Sequence, residues 1–269
     1  MKHTRKNAGF TLVELAIVLV IIGLIIGGVL TGQDLIKAAT IRSTVGDIEK
    51  FNAAATTFQG KYNGLPGDLA ASRAVEFNLA AGADANSAGT AGLRDGNSVI
   101  EGGAAAATNL AGETALLWKD LGATGLIAGT YSAIGTAVGP AAAVTAANVR
   151  TYLPGTRLRD SASYYVYSLA GRNYFYLGTV AAAITTGAVT PTAGVTALEA
   201  KSIDEKIDDG APTSGVVISM TDLTTANAGA AAATTECNTN ATPSVYNVSS
   251  AATGAASNVV CQLRIRTSF

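Results

Sequence analysis

From Phe10 to Leu30 nearly every position is apolar, and from Ile41 onward apolar residues recur at steps of three and four. The first pattern predicts a helix that meets an apolar medium on all sides, of the length a bilayer requires. The second places Ile41, Val45, Ile48, Phe51, Ala55 and Phe58 on one stripe, with Arg42, Asp47, Glu49 and Lys50 between them. That spacing predicts the same helix continuing with one buried face. Gly60, Asn63-Gly64 and Pro66-Gly67 end the run near Phe58 or Gly60. From Phe10 this is about 49 residues, or about 74 Å at 1.5 Å per residue, half anchor and half spine.

Beyond the helix, patterned islands stand in a background of Ala, Gly and Thr. Lys61-Tyr-Asn-Gly-Leu-Pro-Gly-Asp68 reads as a turn-rich connection. Glu113 to Leu121 reads as a short helix ending near Gly122, with Leu116, Leu117 and Leu121 inward and Trp118 as a packing anchor or a recognition residue. Ser163–Leu169 and Asn173–Leu177, rich in aromatic and β-branched residues around Ala170-Gly171-Arg172, carry a hairpin signature. Val216–Met220 and Val259–Ile265 add two strands. An antiparallel sheet of about four strands covering the spine follows, an α+β head. Gly102–Thr108, Gly135–Asn148, Val180–Ala197 and Thr224–Thr235 read as irregular loops.

One carboxylate, Glu14, sits inside the apolar stretch, where a charge costs roughly 2.5–3.5 kcal/mol on insertion scales and marks function. Ahead of it runs a basic leader with Lys2, Arg5 and Lys6, which places the N-terminus on the cytoplasmic side. A secretory signal peptide would be cut after its apolar region, whereas the small residue here, Gly9, precedes it. The run Gly9-Phe10-Thr11-Leu12-Val13-Glu14 resembles the cleavage-and-methylation signal of the type IV pilin family, which includes the pseudopilins of type II secretion. The resemblance implies a peptidase cut after Gly9, N-methylation of Phe10, and pairing of Glu14 with the Phe10 amine of a neighbouring subunit. It implies a leader of residues 1–9, a helix of 10–60 and a periplasmic or extracellular head of 61–269. Many pilins carry a helix-loosening proline in this region. With none here, Gly27 and Gly28 are assigned that role. Gly23, Gly27, Gly28 and Gly32 lie at spacings that permit close helix approach, or reflect the abundance of Gly in membrane helices.

Three of the 18 basic residues lie in the leader, which leaves 15 against 19 acidic ones and argues against a nucleic-acid surface. Cys237 and Cys261 are the two cysteines of an exported domain and read as a disulfide, the other reading being two free thiols. Such a bridge resembles the disulfide-bounded C-terminal region of many pilins. Asp204, Asp208 and Asp209 suit a calcium loop, as some pseudopilins hold, or a plain Asp-Asp-Gly turn; no other cofactor is expected. Pro66-Gly67-Asp68 and Lys206-Ile-Asp-Asp-Gly210 together resemble a set recurring in larger bacterial pilin-like proteins. Asn240-Ala-Thr242 and Asn247-Val-Ser249 match the N-linked acceptor pattern. The sole histidine is His3, no Gly-x-Ser-x-Gly or phosphate-cradling loop is present, and the expectation is no enzyme. The family reading implies a homo-oligomeric filament grown from the inner membrane by a prepilin peptidase and assembly machinery. Its roles are pilus subunit, type II secretion pseudopilin, or minor pilin with an adhesive or initiating head.

Overall fold

The computed structural model describes residues 12–79, 94–102, 109–132, 144–145, 147–182, 189–221, 223, 237–239, 243–248 and 259–269. Two compact units divide the chain, one ending at Thr40 and one beginning at Ile41. Helix α1 spans Leu12–Tyr62, two to four residues beyond the stop expected from Gly60. A helix-interior glycine costs only about 1 kcal/mol, and here tertiary packing outweighs it. Tyr62 is buried, with its ring 4.4 Å from that of Phe58 and 4.9 Å from that of Phe77. Termination falls to Asn63, which takes a left-handed conformation (φ 56°) and donates its N–H to Gln59 O at 2.8 Å.

Within the second unit, Ile41, Thr44, Ile48, Phe51, Ala54, Ala55, Phe58 and Tyr62 form the buried face of α1. Val45 of the expected stripe is only half-buried and Thr44 takes the inner position. Its carbonyl accepts from the Tyr164 hydroxyl at 3.3 Å. Phe51 meets Trp118 edge-on at 5.0 Å and Tyr164 at 5.1 Å, so Trp118 is a core anchor, fully buried. A short helix, α2 (Ala71–Glu76), follows the turn-rich connection, and the Glu113 island forms α3 (Glu113–Ala123).

The sheet begins with the hairpin of β1 (Ala162–Leu169) and β2 (Arg172–Ala182), registered from Leu169↔Arg172 to Ala162↔Thr179. Ala170 and Gly171 both have positive φ, the geometry of a two-residue turn matched to strand twist. The later elements are β3 (Val189–Thr192), β4 (Val195–Thr196), α4 (Ala197–Ile207), β5 (Val217–Ser219), β6 (Val259–Cys261) and β7 (Leu263–Arg266). Among the described residues, five strands form one sheet in the order β1-β2-β7-β5, with β3 also on β2, and β4 pairs with β6 separately. Every pairing is antiparallel, which makes the head α+β.

Two expectations are corrected. Val180–Ala197 is not wholly a loop, because β2 runs on to Ala182 and β3 and β4 follow. Val259–Ile265 is not one strand, because Gln262 breaks it between two sheets. Its Oε1 accepts from the Tyr176 hydroxyl at 2.6 Å and its Nε2 donates to Thr221 O, bonds that anchor the chain where it changes sheets. Residues 103–108, 135–143 and 224–235, read as loops, lie outside the described residues, as do Asn240-Ala-Thr242 and Ser249.

Cys237 and Cys261 are bonded, tying β6 to the 237–239 segment across a separation of 24 residues. In the chain-entropy picture such a closure contributes about 3 kcal/mol.

Candidate functional site

Gly9 and Phe10 lie outside the described residues, and Glu14 stands in the first turn of α1, exposed. Around it Leu12, Leu15, Leu19, Leu24 and Ile25 are each more than half exposed. An 18-residue stretch of α1 is long and apolar enough to cross a membrane, and none of it is buried within the chain. So much uncovered apolar surface requires lipid or other chains around it.

The helix is continuous through Gly23, Gly27, Gly28 and Gly32, and a Cβ at any of them would meet nothing within 4 Å. The small-residue positions therefore leave shallow notches along the helix surface. At Gly27 the carbonyl accepts a second bond, from Thr31 Oγ1 at 3.0 Å, of the kind that bends helices slightly.

In the head, the sequence reading brings Asp204, Asp208 and Asp209 together, and one carboxylate oxygen of each lies within 4.8 Å of the others. Asp204 accepts from the Tyr246 hydroxyl at 2.8 Å and from Gly210 N at 3.2 Å, and burial pushes its carboxyl up to about 6. Asp208 accepts from Val216 N, and Asp209 from Ala211 N and the Ser214 hydroxyl. Oxygen donors of this kind suit a hard cation such as calcium. The same bonds also build the turn from α4 to β5.

A second charged cluster escaped the sequence reading. Arg94 and Asp120 form a fully buried ion pair, bidentate at 2.9 and 2.7 Å, and Asp120 Oδ2 also accepts from Gly67 N at 2.8 Å. Beside it Asp68 and Glu113 are buried carboxyls and Asp95 is half-buried, with oxygens of the three within 4.8 Å. Burial is the main cause of a rise to about 7 at Asp68 and, joined by the nearby Asp68 charge, to about 9 at Glu113. Glu113 was legible only as the start of α3 and Asp68 only as part of a turn. Their partners lie 12 to 30 residues away, beyond any local pattern.

Residues 4–30 match the family model described as the prokaryotic N-terminal methylation motif. The chain carries the N-terminal signal of type IV pilins and pseudopilins. That match places Gly9, Phe10 and Glu14 inside the motif and supports a pilin- or pseudopilin-like precursor. Proteins of this type are structural and as a rule non-enzymatic. Together, the motif and the long apolar helix point to membrane anchoring and to assembly with membrane machinery. No curated protein and no solved structure matches the chain.

Proposed function

We propose that this chain is a structural subunit of a type IV pilus, cut after Gly9, methylated at Phe10 and polymerised through α1 from an inner-membrane pool. Its partners are then further copies of itself, the prepilin peptidase and the assembly machinery, with the head passing from periplasm to cell surface. It has no catalytic role in this reading. The observation that carries it is the methylation motif leading directly into an apolar helix that buries nothing within its own unit. Side chains with no cover in the monomer serve lipid before assembly and neighbouring helices after it.

Intact-mass spectrometry of filaments sheared from cells tests this. The dominant species is expected to begin at N-methylated Phe10. A species retaining residues 1–9 would remove the peptidase step. Processed protein that stays with the membrane fraction would point to a pseudopilin or minor pilin instead.

The grouping of Asp204, Asp208 and Asp209 favours the pseudopilin as a second reading, with calcium seated in that loop. Under it, a chelator lowers the melting midpoint of the native chain and Asp209→Asn abolishes the effect. An unchanged midpoint removes the metal.

A further inference from the structure

Segment 94–101 is stapled to the head through two buried carboxyl groups. Asp68 accepts from Gly96 N at 2.7 Å and from Ser98 N at 2.6 Å. Glu113 accepts from Asp95 N at 3.4 Å and from Glu101 N at 3.0 Å. Asn173 of β2 holds the same segment from another side, accepting from Ile100 N at 2.8 Å and donating to Ser98 O at 3.2 Å. Four backbone donors of one segment therefore end on Asp68, in the connection after α1, and on Glu113, in the first turn of α3.

What neutralises these carboxyls decides how the staple behaves. The four backbone donors favour ionised carboxylates, but burial and the crowding of Asp68, Asp95 and Glu113, with oxygens within 4.8 Å of one another, oppose ionising them all. Arg94 directs both terminal nitrogens to Asp120. Arg73 lines a polar cavity of about 230 Å³ with Asp68, Gln59, Asn63 and Ser98, but makes no ion pair with Asp68 among the described residues. Among the described residues Asp95, whose carboxylate accepts from Asn97, adds a third acidic group to the pair.

We propose that the Asp68 and Glu113 pair keeps a proton at neutral pH and acts as a pH-operated latch on segment 94–101, closed while the proton is held and loosened when alkali removes it. The upward shifts at both groups, caused chiefly by burial, agree with this. Because folded values lie above unfolded ones, the folded chain binds more protons. The latch's stabilisation is complete below about pH 4 and is lost as pH climbs through about 7 to about 9.

The test is melting of the full chain in detergent micelles at pH 6 and pH 9, with amide exchange at residues 95–101 corrected for the intrinsic rate. Wild-type protein is expected to lose roughly 5 °C or more of midpoint across that range, together with protection in the segment. Glu113→Gln, which cannot ionise, should flatten both slopes whatever its absolute stability, and Asp68→Asn is the second variant if it does not fold. A flat wild-type slope, or an unchanged slope in the variants, overturns the proposal.

Discussion

Asp120→Ala should remove about 3–5 kcal/mol of stability from the head, a loss that follows from leaving one partner of a buried ion pair alone. The Arg94 and Asp120 side chains are both fully buried, and the guanidinium directs two parallel bonds at the carboxylate. Truncating Asp120 strands a cation that, unlike lysine or histidine, cannot shed its proton to escape. It also frees the N–H of Gly67, whose φ of 85° and close packing on Glu113 and Leu117 leave no room for a Cβ. In thermal melts the midpoint should fall by roughly 10 °C. Replacing both partners by apolar residues of matched volume should recover much of that loss, because the cost lies in the unpaired charge. If Asp120→Ala shifts the melt by less than about 2 °C, the pair is not holding the connection after α1 to α3.

Local patterns made much of this architecture readable. The α1 stripe, the hairpin around Ala170-Gly171 and the disulfide each follow from residues near one another in the chain or from the cysteine count. One missed element was also readable: Thr196 and Glu199 form a capping box at the start of α4, the Thr196 hydroxyl accepting from Glu199 N and the Glu199 carboxylate from Thr196 N. That T-x-x-E spacing is a helix-start signature. The break at Gln262 was not readable, since it depends on Tyr176 and Thr221, 86 and 41 residues away. The same holds for the charged cluster under segment 94–101. Arg94 finds Asp120 at a separation of 26, and Gly67 finds it at 53. Polar groups that satisfy one another over such distances leave no periodicity, so burial of charge is the feature that a linear reading loses.

Glu14→Ala should abolish filament growth, or reduce it at least tenfold, while leaving membrane insertion and cleavage after Gly9 intact. The methyl side chain removes a charge costing roughly 2.5–3.5 kcal/mol in the apolar phase, so insertion becomes easier. What is lost is the attraction between Glu14 of one subunit and the Phe10 amine of the next, the one polar contact our reading provides inside an apolar helical core. Apolar contacts alone do not fix axial register, since sliding one such helix along another exchanges one set of similar side chains for the next. A buried pair does fix it, because any other register strands both charges in a medium of low dielectric constant. Glu14→Gln keeps the shape but not the charge and should therefore resemble the alanine variant, whereas Glu14→Asp should retain partial assembly. The readout is the sheared filament fraction against the membrane fraction, with intact mass confirming a processed N-terminus in every variant. Filaments at the wild-type level in Glu14→Ala would show that register is set elsewhere, with the uncovered glycine positions Gly23, Gly27, Gly28 and Gly32 the next place to mutate.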